Sequence, residues 1–226
     1  MNQRILIATT SHGTKGNTGE PTGAYLPEVA HPYDVFTRSG YGVEFASVKG
    51  GAIPLDGVSD ADAASKAFLA AHADELQHSI AADAVDAARY DAIYFAGGHG
   101  AMWDLPDSVA FARVASTLYD SGRVVAAVCH GPAALVNIKL GSGQYLVQDK
   151  SVSAFTNEEE RAVKLDAVVP FLLADKLVER GARHESAPMW QPKVVVSERL
   201  VTGQNPASAA GVAKAVVEVL QQRATR

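Results

Sequence analysis

The sequence predicts an α/β protein with a mostly parallel central sheet and helices on both faces. Two observations carry that expectation. Short apolar runs alternate with longer segments of helical period, the pattern of strands joined by crossover helices. Two of these runs, Asp91-Ala-Ile-Tyr-Phe-Ala96 and Val124-Val-Ala-Ala-Val-Cys129, are almost continuously apolar, as central strands covered on both faces must be. A chain of 226 residues, 47% hydrophobic and 20% charged, can bury such a core without disulfides or structural metals.

The elements follow in order. Arg4 to Thr10 reads as the first strand. The loop Ser11 to Gly23 carries glycines at 13, 16, 19 and 23 and is expected to be mobile. Loops of that length in a compact domain are often functional. This one lacks the Gly-Lys-Ser/Thr ending of a phosphate loop. Pro27 to Ser39 is a helix carrying Val29, Tyr33, Val35 and Phe36, stopped by Gly40, and Val43 to Val48 is the next strand. The Ala-rich segment Ser59 to Ala88 reads as one long helix with Phe68, Leu69, Leu76, Ile80 and Val85 inward. After the strand at Asp91, Pro106 to Ser121 is a helix with Val109, Val114 and Leu118, stopped by Gly122. A short helix spans Pro170 to Arg180. Val194 to Val196 and Leu200 to Thr202 suggest a strand pair, and Ala207 to Gln222 a closing helix. No linker or repeat interrupts this order, so residues 1–226 are expected to form a single domain.

Several function classes fall away. The one cysteine, Cys129, cannot form an internal disulfide or a thiolate-rich zinc site. The longest apolar run, Val124 to Cys129, has six residues, against the roughly 20 of a membrane helix. The apolar stretch after Arg4 is too short for a signal peptide. A net charge of −5 disfavours a nucleic-acid partner. The expectation is a cytoplasmic protein with no membrane or nucleic-acid partner.

The most informative stretch is Ala126-Ala-Val-Cys129-His130-Gly131-Pro132. An apolar strand runs into Cys129 and a helix begins at once. Gly131 permits a tight turn and Pro132 suits a first helical turn. That is the geometry of a nucleophile elbow, and the helix N-terminus is expected to favour the thiolate. The second constellation, Gly97-Gly98-His99-Gly100, follows the neighbouring strand. Its glycines allow close backbone approach, at the carboxyl end of the sheet where open α/β folds bind ligands. The N–H groups of Gly98 and His130 are the candidate oxyanion hole. A metal site from His12, His31 or His99 has no supporting spacing, so neither metal nor cofactor is expected.

These motifs, with Thr22-Gly23-Ala-Tyr-Leu-Pro-Glu28-Val-Ala-His31-Pro32, Phe155-Thr156-Asn157 and Val201-Thr202-Gly203-Gln204-Asn205-Pro206, resemble the ThiJ/PfpI superfamily. That group shares the fold of class I glutamine amidotransferase domains. The similarity is greatest to its branch of glutathione-independent glyoxalase III proteins and stress-inducible chaperones, and it extends over almost the whole chain. The resemblance implies a flavodoxin-like three-layer sandwich with the cysteine on its elbow. It implies that Glu28 lies against Cys129, and that His130 is served by an acid after Phe-Thr-Asn. Glu160 is the best match for that acid, within the run Glu158-Glu159-Glu160. A glutamate beside a thiolate is expected to be protonated, because the two charges repel. The amidotransferase branch carries a late His-x-Glu pair. The corresponding Asn205-Pro206-Ala207 has no histidine, which argues against glutamine hydrolysis.

The function implied is a cofactor-independent lyase of the glyoxalase III (D-lactate dehydratase) type. It would convert a small 2-oxoaldehyde such as methylglyoxal to a 2-hydroxy acid through Cys129, His130, Glu28 and Glu160, in carbonyl-stress detoxification. The alternatives are a holdase chaperone acting on unfolded proteins, a deglycase acting on glycated proteins or nucleotides, an amidase or peptidase, and a peroxide sensor. Family likeness also implies a homodimer.

Overall fold

The computed structural model describes residues 3–224. In chain order its elements are β1 (Arg4–Thr9), β2 (Ala24–Tyr25), α1 (Leu26–Arg38), β3 (Gly42–Ser47), β4 (Leu55–Asp56), α2 (Ala63–Gln77), β5 (Ile80–Ala81), β6 (Ala92–Phe95), α3 (Ala101–Asp104), α4 (Val109–Asp120), β7 (Val124–Val128), β8 (Ser151–Val152), α5 (Asn157–Ala162), α6 (Leu173–Glu179), β9 (Arg183–His184), β10 (Val194–Ser197), β11 (Leu200–Gly203) and α7 (Ala209–Ala224). Seven strands form one sheet in the order β10-β11-β7-β6-β1-β3-β5. Every pairing in it is parallel except the β10–β11 hairpin. The mostly parallel α/β architecture read from the sequence is the one observed.

Strand alternation divides the core in two. Leu6, Ala8, Ile93, Phe95, Val125 and Ala127 point to one face, where they meet Phe111, Val114 and Leu118 of α4. Ile5, Ile7, Ala92, Tyr94, Val124 and Ala126 point to the other, against Val29 and Phe36 of α1 and Val212 and Val216 of α7. Successive side chains of a strand face opposite ways, so an all-apolar strand serves both layers. No helix among the described residues is long and apolar enough to cross a membrane.

Two expectations need correction. The segment Ser59 to Ala88 is not one helix. Asp62 caps α2 by accepting from Ser65 N at 2.9 Å, the helix leaves helical geometry at His72, and it ends at Gln77. Ile80 and Ala81 then pair with Ala46 and Ser47 at the sheet edge. Strand pairing supplied by β3 overrides the helical preference of the alanines. Val109, placed among the helical apolar positions, is 81% exposed. It opens α4, whose buried face begins at Phe111.

Candidate active site

β6 and β7 lie side by side in parallel register, Phe95 beside Ala127. Their carboxyl ends therefore bring Gly97-Gly98-His99 next to Cys129-His130. Cys129 has φ of 59°, a left-handed conformation that costs a non-glycine residue energy and must be held by its surroundings. Here Cys129 N donates to Gly203 O at 2.9 Å and Phe155 N donates to Cys129 O at 3.0 Å. The chain turns at once into a single 3-10 segment, Gly131–Leu135, with Pro132 in its first turn. The strained apex presents the sulfur beyond the sheet.

Two glycines make room for it. A Cβ at Gly97 would collide with the Glu28 carboxylate and the backbone of Val128 and His130. Gly98, at φ of 101°, takes a conformation few side chains allow, and its N–H and that of His130 favour the charged form of the Cys129 sulfur.

Glu28 enters from the first turn of α1 and is fully buried. Gly97 N donates to its Oε2 at 2.9 Å, and Tyr94 Oη donates to its backbone carbonyl at 3.0 Å. Oε1 is buried with no hydrogen bond of ordinary geometry. Burial pushes the carboxyl up to about 8, against the lowering effects of the weak Cys129 thiol contact and the Gly97 N–H. Burial, followed by the nearby Glu28, likewise pushes the Cys129 thiol well above its ordinary value, although the Gly98 and His130 N–H groups act in the other direction. The expected thiolate-favouring helix end is thus outweighed. One five-residue 3-10 segment offers little dipole, and a fully buried sulfur is costly to charge.

His130 is also fully buried. Its Nδ1 lies 3.4 Å from Cys129 Sγ, and its Nε2 lies 2.7 Å from Glu160 Oε2. The carboxylate holds the proton on Nε2 and leaves the Nδ1 lone pair facing sulfur. Burial, then the proximity of His99, lowers His130 to about 4. Burial alone would raise Glu160, but hydrogen bonds from His130 and His99 take it down to about 2.

Within the acidic run, α5 decides the roles. Thr156 caps the helix in a reciprocal capping box with Glu159. Glu159 is further tied to Trp190 N at 2.9 Å, Gln204 Nε2 at 3.1 Å and Asn205 Nδ2 at 2.8 Å. Glu158 is exposed, and Glu160 alone of the three meets His130. The Thr-x-x-Glu spacing of a capping box was the signal that assigns Glu159 to the cap and leaves Glu160 for the site.

Sequence reasoning missed three neighbours. His99 Nε2 lies 2.8 Å from Glu160 Oε1. Phe155 packs on the His130 ring at 4.3 Å between centroids, and Trp190 on Phe155 at 5.9 Å. His99, His130 and Glu160 are also the group of described residues whose ligand atoms lie within 4.8 Å of one another, as a metal would need. In the structure each of those nitrogens is hydrogen-bonded to the carboxylate. The other histidines lie in different contacts. His12 stacks on Trp103, His31 pairs with Asp62, and His184 bonds Ala154 O. His72 is half-buried against Tyr33 and Phe68. A groove of about 840 Å³ lies elsewhere, lined by His31, Tyr33, Phe68, His72 and Lys214, so groove size does not single out the cysteine.

Known proteins share this architecture. Residues 22–219 match the DJ-1/PfpI family. Glyoxalase 3 of Candida albicans is 30% identical over 236 residues, covering 96% of this chain and 98% of that protein. The glutathione-independent glyoxalase hsp3102 of Schizosaccharomyces pombe is 32% identical over 234 residues, covering 96% of each. Among solved structures, the Rapid Encystment Protein 24 KDa of Francisella tularensis superposes with a TM-score of 0.93 at 41% identity, over 96% of this chain and 99% of that one. Glyoxalase III of Candida albicans superposes with a TM-score of 0.88 at 28% identity, over 96% and 97%. With a family match over residues 22–219, most of its length, the chain belongs to the DJ-1/PfpI family.

Proposed function

We propose that this protein is a glutathione-independent glyoxalase that converts a small 2-oxoaldehyde such as methylglyoxal, with water, to a 2-hydroxy acid such as lactate. The observation that carries the reading is one buried thiol between two oppositely tuned acids. Glu28 is pushed up to about 8, while Glu160 is ionised behind His130. The relatives named glyoxalase 3 and glutathione-independent glyoxalase hsp3102 support it.

The Cys129 sulfur attacks the aldehyde carbon, and its proton passes to His130 Nδ1, 3.4 Å away. His130 is a weak base at rest. The transfer becomes favourable as attack moves charge from sulfur to the substrate oxygen and Glu160 stabilises the imidazolium. That oxygen meets the N–H groups of Gly98 and His130, and Glu28 gives it a proton, forming a hemithioacetal. The ionised Glu28 then removes the C1 hydrogen while the His130 imidazolium gives its proton to the C2 oxygen, forming an enediol. Protonated Glu28 delivers its proton to C2 and takes up the C1 hydroxyl proton as the enediol collapses to a thioester. Water cleaves the thioester, releasing the hydroxy acid and restoring the thiol. The sequence is an internal redox transfer from C1 to C2 followed by hydrolysis, so no external oxidant or reductant enters. With Cys129 only 4% exposed, a small aldehyde suits the site better than a folded protein chain.

Purified protein incubated with methylglyoxal and no glutathione is expected to produce lactate, and Cys129→Ala to produce none above the uncatalysed background. Equal turnover by Cys129→Ala would sink the mechanism.

A further inference from the structure

Glu160 is shared. Its Oε2 accepts from His130 at 2.7 Å and its Oε1 accepts from His99 at 2.8 Å. One carboxylate is thereby clamped between two imidazoles whose ring centroids lie 4.1 Å apart. The terminal torsion of a glutamate is broad and poorly fixed by itself. With a single partner the carboxylate could swing, and the Nε2–H that sets the His130 tautomer would lose a constant acceptor. With a second histidine on the other oxygen, the plane of the carboxylate is fixed.

His99 is itself firmly held. The turn that carries it is tied by Ala101 N to Gly98 O at 3.1 Å and Met102 N to His99 O at 2.9 Å. Its ring packs against Phe155 at 5.9 Å. The same four-residue turn supplies the Gly98 N–H that favours the charged form of the sulfur. One rigid piece of backbone thus sets both the donor beside Cys129 and the clamp on Glu160.

We propose that His99 is a positioning residue, holding the Glu160 carboxylate in the plane that keeps His130 Nδ1 aimed at the Cys129 sulfur. The inference rests on the glyoxalase reading only for its turnover assay. Its physical content concerns the reactivity of the thiol, which can be measured separately.

Two substitutions test it. His99→Phe keeps a ring against His130 and Phe155 but removes the donor. His99→Gln places an amide N–H close to where Nε2 stood and keeps the donor without the ring. The expected result is a fall in kcat of about 10–100-fold for His99→Phe, the size typical of lost outer-shell support, with KM within about twofold. His99→Gln is expected to recover most of that loss. Alkylation of Cys129 by iodoacetamide, unambiguous because the chain has one thiol, should slow in the same order. Equal alkylation rates and kcat in all three proteins would overturn the proposal, as would a His99→Gln variant no better than His99→Phe. If the wild type fails to convert methylglyoxal, the glyoxalase reading falls and the alkylation rates alone decide the role of His99.

Discussion

Two buried glutamates flank the Cys129–His130 pair, and they behave oppositely. Glu28, on α1, is pushed up to about 8, and Glu160, on α5, is lowered to about 2. Burial raises both. What separates them is partners. Glu28 has one backbone N–H at 2.9 Å and an oxygen with no ordinary hydrogen bond. Glu160 has an imidazole on each oxygen. A carboxyl in a dry site keeps its proton unless donors compensate the charge. The same residue type becomes a proton donor at one side of the thiol and an anchored anion at the other.

The comparison can be broken most severely at Glu160. Glu160→Gln removes the charge facing His130 and permits the wrong tautomer. Turnover of methylglyoxal is expected to fall by about 10³–10⁴-fold, the scale of the same change in a protease triad. Near-normal turnover in this variant would remove Glu160 from the mechanism.

Glu28→Gln should cost less, about 10²–10³-fold in kcat, the usual scale of one general acid–base group. It should also remove a feature. In the wild type kcat/KM is expected to decline as pH rises through about 8, where Glu28 loses its proton. That alkaline limb should be absent from the residual activity of the variant.

Stability gives a third test. Folded Glu28 holds its proton up to about 8, against 4.5 ordinarily. Its contribution to stability is therefore lost as pH rises between those values, by about 1.4 kcal/mol per pH unit. His130 runs the other way. Its folded value of about 4, against 6.5, makes stability rise with pH over that window. The two slopes oppose each other from pH 4.5 to 6.5. Denaturant midpoints of wild type minus Glu28→Gln should fall steadily from pH 4.5 to 8. A flat difference would mean that Glu28 is ionised in the folded protein.

The smallest effect is expected at Thr156→Ala, which removes the α5 cap but no charge. A loss of about 1 kcal/mol in unfolding free energy is typical of such a cap. Activity should drop with it only if the helix start also sets the aim of Glu160.

Local features of the site were legible in the sequence. The strand-to-turn elbow at Cys129 and the paired glycines at 97 and 98 both depend on neighbours a few residues apart. The Ala-rich segment was misread because its end is set at the sheet edge, where β3 captures Ile80 and Ala81. His99 went unnoticed as a partner because its acceptor lies 61 residues away.

By itself the sequence determined the alternation of strands and helices and the bend at the only cysteine. These follow from side-chain period and glycine freedom. Only the tertiary structure decided that burial, rather than repulsion by the sulfur, protonates Glu28, and that Glu160 stays ionised. Protonation depends on burial and on donors brought from distant segments, as when Gly97 meets Glu28 across 69 residues. The thiol shows the difference most directly. Chain-local reasoning at a helix start predicts a thiolate, while the folded surroundings, a dry pocket beside a glutamate, keep it a thiol.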